Sequence, residues 1–158
     1  MVPPPDPPYD DIDSRLNKWL AQFLASRNIE GEIFHPRAAI YRDVVAGTYL
    51  EPDMMYVSRE LRERMGRKRT SADIVFEYIS KSNAVYDRTT KADTYLALGV
   101  RELWLIDPVT VTIDVQHAIM RYDQPAWEIW RYSRGDFAES RVLAGWRVSV
   151  DELFDGLV

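Results

Sequence analysis

The stretch SADIVFEYISKSN, residues 71–83, carries one glutamate, Glu77, inside an otherwise apolar run from Ile74 to Ile79. A short run of β-branched and aromatic residues predicts a strand, and its lack of polar alternation predicts a strand covered on both faces. An ionised carboxylate taken out of water costs far more free energy than a methylene returns. Glu77 therefore needs an ion pair, a hydrogen bond or a metal.

The flanks of this strand set the fold. A helix is predicted from about Tyr86 to Leu98, ending at Gly99, where a left-handed cap is expected. RELWLID (101–107) follows at once as a strand, and VTIDVQHA (111–118), joined to it through Pro108, reads as its hairpin partner. Upstream, GEIFHPRAAIYRD (31–43) and TYLEPDMMYVS (48–58), separated by VVAG, predict two antiparallel strands. Ile12, Leu16, Trp19, Leu20, Phe23 and Leu24 recur at three- and four-residue spacing, so 11–26 predicts a helix with its acidic residues at the N-terminal end. AWEIWRYS (126–133) and ESRVLAGWRV (139–148) predict later strands before a short final helix, VDELFDGL. One strand–helix–strand crossover amid hairpins predicts an α/β fold on a mixed sheet. The proline-rich VPPPDPPY predicts an extended leader over residues 1–10, which leaves one domain over 11–158. No internal repeat is present.

Composition narrows the chemistry. At 158 residues and 46% hydrophobic, the chain can bury one real core. It has no long apolar segment and no signal-like start, so the expectation is a cytoplasmic protein without a membrane span. The absence of cysteine excludes disulfides, thiolate zinc sites and cysteine nucleophiles. Two scattered histidines, His35 and His117, read as structural, so any metal site must be built from oxygen ligands. The net charge of -5 argues against a general nucleic-acid coat protein. RELRERMGRKR (59–69), however, sets six basic residues against two acidic ones. It reads either as a solvated helix with i,i+4 ion pairs or as a phosphate-contacting segment that includes Arg67, Lys68 and Arg69.

Two further residues could answer Glu77. Asp53, in EPDMMYV, is by itself an ordinary turn residue beside a proline. Lys91, on the helix after the Glu77 strand, could simply pair with Asp87 at i,i+4, or it could point back toward Glu77. Trp104, Tyr95, Trp127, Trp130 and Trp146 read as core and strand packing.

EPDMMYVS, ADIVFEYIS and DRTTKADTYLALGVRELWLIDP resemble, in order and spacing, the motifs of the Uma-two family of proposed restriction endonucleases in the PD-(D/E)xK nuclease superfamily. The matching positions are Pro52-Asp53, Glu77, Ser80, Asp87, Lys91, Tyr95, Gly99-Val100, Trp104 and Asp107-Pro108, and the likeness runs over about residues 12–156. It implies a restriction-endonuclease-like mixed β-sheet core flanked by helices and a metal-dependent endonuclease that hydrolyses phosphodiester bonds of DNA. Asp53, Glu77 and the backbone carbonyl of Tyr78 would hold Mg²⁺ or Mn²⁺, and Asp87 would be accessory. In the general superfamily pattern the lysine lies two residues after the glutamate. That place is Ile79 here, so the resemblance assigns the catalytic cation to Lys91, in an electrostatic role rather than as a base. DNA is the implied partner, and symmetric cleavage of a duplex would suit a homodimer.

The chain also departs from the family pattern. It starts after the family's N-terminal Tyr-Glu-Leu…Gly segment, so that glutamate is expected to be missing from the metal site. Tyr9 stands where a histidine is frequent, and SKSN replaces SPST. The alternative expectation is a catalytically inactive nuclease-fold domain that binds DNA or a protein partner.

Overall fold

The strand around Glu77, β5 (Ile74–Tyr78), lies inside a six-stranded sheet with every residue buried. The computed structural model describes residues 8–43 and 45–158. Its elements are α1 (Tyr9–Ser26), β1 (Gly31–Phe34), β2 (Ile40–Asp43), β3 (Thr48–Leu50), β4 (Met54–Ser58), α2 (Arg59–Met65), β5, α3 (Ala84–Tyr86), a π-helical turn (Asp87–Lys91), α4 (Ala92–Ala97), β6 (Glu102–Asp107), β7 (Thr112–Arg121), β8 (Gln124–Tyr132), β9 (Phe137–Glu139), β10 (Arg147–Ser149) and α5 (Val150–Phe154). The sheet order is β1-β4-β5-β6-β7-β8. Only β5 and β6 run parallel, joined by the helical crossover, and every other neighbouring pair is antiparallel. This is the expected α/β fold on a mixed sheet.

Alternation along β5 divides the core in two. Ile74, Phe76 and Tyr78 face α1, which offers Ile12, Leu16, Leu20 and Leu24, one residue per helical turn. Trp146, Val148, Leu153 and Phe154 complete this layer, and Phe76, Trp104 and Trp146 stack with ring centroids 4.9–6.0 Å apart. Val75 and Ile79 face the opposite layer with Ala92, Tyr95, Leu103 and Leu105. Glu77 projects into this second layer.

Gly99 ends α4 with φ 83°, and the amides of Gly99 and Val100 return to the carbonyls of Leu96 and Tyr95. That is the expected left-handed cap. Three expectations differ in detail. Residues 1–7 of the expected leader lie outside the described residues, while Tyr9 and Asp10 are already helical. The two long strands at 31–43 and 48–58 are each divided, so that β2 pairs with β3 and β1 with β4. Pro36 and Pro52 fall in the breaks, where a ring nitrogen has no N–H for a ladder. The strand expected over 139–148 is instead two short strands around a turn. Glu102 captures that turn, accepting from Ser140 Oγ at 2.7 Å and from the Arg141 and Val142 amides at 2.8 and 3.1 Å. Among the described residues no helix is long and apolar enough to cross a membrane.

Candidate active site

The β4–β5 register pairs Met54 with Phe76 and Met55 with Val75. Continuing it by one residue sets Asp53 opposite Glu77, both on the α4 side of the sheet. Asp53 Oδ2 accepts the Tyr78 amide at 2.7 Å, which fixes the turn ahead of β4 against the end of β5. The Asp53 carboxylate lies near enough to Glu77 to push its pKa up. Like charges placed so closely oppose folding unless a proton or a cation lies with them.

The crossover helix supplies that positive charge. Lys91 Nζ is 3.3 Å from Glu77 Oε2 and 3.2 Å from Asp87 Oδ1. Both Lys91 and Asp87 belong to the π-helical turn, a distortion frequent at functional sites. The turn is anchored from its other side by Arg88, whose guanidinium donates to Asp114 at 2.6 Å and Asp107 at 3.0 Å on β7 and β6. Tyr95, one helical turn after Lys91, donates its hydroxyl to Glu77 Oε1 at 2.5 Å.

Charge in this site follows from burial. Glu77, 2% exposed, is pushed well above the usual carboxylate range by burial and then by Asp53, against the opposing pull of Lys91 and the Tyr95 hydroxyl. Burial also raises Asp53 and Asp87. Burial would lower Lys91, but the carboxylates of Glu77 and Asp87 outweigh it and hold the ammonium above its ordinary value. Both Asp87 oxygens are buried, with the Lys91 ammonium as the cation beside them.

Asp53, Glu77, Tyr78 and Lys91 line a cavity of about 470 Å³ at the carboxyl end of β5, together with Tyr9, Asp13, Pro36, Ser80 and Asn83. Ligands of open α/β sheets bind beyond the carboxyl ends of their strands. Two neighbouring carboxylates with raised pKa suit a hard divalent cation. Among the described residues no three Asp, Glu, His or Cys side chains converge on one ion position. The protein's share would therefore be two carboxylates and a backbone carbonyl, with the remaining positions left to water or substrate.

The structure thus brings Asp53, Glu77, Tyr78, Asp87 and Lys91 together. Arg67 and Arg69 line a different, smaller cavity with Phe34, Val57, Arg62 and Met65. Arg69 stacks on Phe34 at 4.1 Å and donates to the Ala39 carbonyl, and Lys68 lies over Tyr41. Tyr95 and Tyr9 were named from sequence without the contacts they make here, and Asp13 was not singled out. Tyr95, read as packing, bonds Glu77, and its i,i+4 spacing from Lys91 was the available signal. Tyr9 donates to the Ile79 carbonyl, and Asp13 accepts the Tyr78 hydroxyl at 2.5 Å. No local pattern foretells these contacts, because α1 is distant in sequence. Trp104 and Trp146 are core residues as expected, and Trp127 packs on the second layer. His35 is exposed beside Asp13, and His117 is 3.4 Å from Glu102.

Comparison with known proteins agrees with this architecture. A crystal structure titled as a "putative nuclease belonging to DUF820" from Anabaena variabilis superposes with a TM-score of 0.73 over 100% of this chain and 86% of that one, at 20% identity, a likeness of fold. No curated protein matches the chain. The sequence profile of Uma2, described as "Putative restriction endonuclease", matches residues 1–151, and the chain belongs to that family.

Proposed function

We propose that the protein is a metal-dependent endonuclease that hydrolyses phosphodiester bonds of DNA, with Asp53, Glu77 and the Tyr78 carbonyl holding Mg²⁺ or Mn²⁺. The observation that carries this reading is that Asp53 and Glu77 line one accessible cavity with the Lys91 ammonium, which is 3.3 Å from Glu77. Such a cation, when bound, supplies Lewis acidity toward phosphate and water oxygens. Lys91, kept protonated by two carboxylates, stabilises negative charge on the phosphate and does not abstract a proton. Asp87 orients that ammonium from within its own helical turn. Arg67 and Lys68, both exposed, would contact flanking phosphates, which positions the duplex without reading its sequence. Cutting both strands symmetrically would call for two copies of the chain.

The test is cleavage of supercoiled plasmid in Mg²⁺ or Mn²⁺. Wild type should nick it, and Glu77→Ala and Lys91→Ala should each slow cleavage by about 10²–10³-fold. The direct Lys91–Glu77 contact favours a second reading, a domain whose site is satisfied internally and which only binds DNA or a protein partner. A wild type that retards duplex DNA in a gel yet never nicks it would establish that reading instead.

A further inference from the structure

We propose that Tyr95 is a positioning residue that makes Glu77 a one-oxygen ligand and so selects a small divalent cation over a large one. The inference rests on the cation site described above.

The two oxygens of Glu77 have different surroundings. Oε1 accepts the Tyr95 hydroxyl at 2.5 Å, with Tyr95 0% and Glu77 2% exposed. Oε2 is the oxygen 3.3 Å from Lys91, whose side chain lines the cavity. The phenol therefore caps Oε1 from the core side, and Oε2, shared with the Lys91 ammonium, is the oxygen on the cavity side.

The phenol is held from several directions. The Tyr95 carbonyl accepts the Val100 amide at 3.1 Å in the cap of α4, and the ring packs in the second core layer. Trp127 Nε1 donates to the Ala92 carbonyl at 3.0 Å, tying the start of the same helix to β8. A phenol of ordinary pKa, about 10, carries its proton at neutral pH. Tyr95 is thus a fixed hydrogen-bond donor.

Cation size turns this into selectivity. Mg²⁺ and Mn²⁺ accept single oxygens in octahedral geometry, whereas Ca²⁺ takes six to eight oxygens and commonly engages a carboxylate through both. A glutamate whose Oε1 is held by a buried phenol is disfavoured as a two-oxygen chelator. Partners that orient a ligand are typically worth about 10–100-fold in metal affinity.

The experiment is titration calorimetry with Mn²⁺, Mg²⁺ and Ca²⁺ in the absence of DNA. Wild type should bind Mn²⁺ at least about tenfold more tightly than Ca²⁺. Tyr95→Phe, which removes only the hydroxyl, should narrow that ratio by about tenfold. Wild type binding both ions equally, or Tyr95→Phe keeping the wild-type ratio, overturns the inference while the cation site stands. Wild type binding no divalent ion overturns both. The wild-type ratio does not depend on any variant folding.

Discussion

Glu77 shows what a site of this kind does to stability. Its folded-state pKa lies well above the ordinary value of 4.5, so the protein is stabilised by a protonated Glu77 and loses that contribution as pH rises from about 4.5 through the raised value. Metal-free protein should therefore gain stability from this residue on mild acidification. Glu77→Gln, which keeps an acceptor for Tyr95 and removes the charge, should raise the melting temperature at pH 8 in chelator, by an amount that shrinks toward pH 4.5. Asp114 has the opposite sign. Burial would raise it, but hydrogen bonds from Arg131 and Arg88 prevail and lower it, so its contribution is present above the ordinary carboxylate range and fades on acidification. Melting curves across pH for wild type and Glu77→Gln separate the two effects.

At the scale of elements, the crossover helix is a lever whose phase decides which side chains reach Glu77. The π-helical turn directs Asp87 and Lys91 toward β5 and Arg88 toward β6 and β7. Asp107 is 5% exposed and Asp114 3%, so withdrawing Arg88 would leave one buried carboxylate without its cation and the other with Arg131 alone. Arg88→Met, which keeps most of the aliphatic stem, should lower the urea midpoint by the equivalent of about 1–3 kcal/mol. It should also speed amide exchange selectively across Asp87–Lys91, which hydrogen-exchange mass spectrometry would read. Exchange unchanged there would show that Arg88 braces the sheet alone. The helix and its stop were legible in the sequence, because apolar spacing and Gly99 are local signals. The π turn was not, since one extra residue per turn is a response to partners on other strands.

For the whole molecule, the site is the junction of α1, the turn ahead of β4, the end of β5 and the crossover helix, so an ion bound there ties distant segments together. A ligand that binds only the folded state stabilises by mass action, and Mn²⁺ at about 100 times its dissociation constant should add about 2.7 kcal/mol. Thermal melts should show that gain for wild type and its loss in the Asp53→Asn, Glu77→Gln double variant. An equal shift in both proteins would place the ion elsewhere. By itself, the sequence determined the helical stripe of α1, the strand–helix–strand crossover, the left-handed stop at Gly99 and the demand that Glu77 have a partner, because each is a matter of local spacing or of one group's desolvation. Only the tertiary structure decided which partners answered that demand. The β4–β5 register placed Asp53 opposite Glu77, the phase of the crossover helix delivered Lys91 and Tyr95, and the proline breaks split the first hairpin in two. Register and helix phase are set by packing between segments far apart in the chain, and spacing within one segment does not encode them.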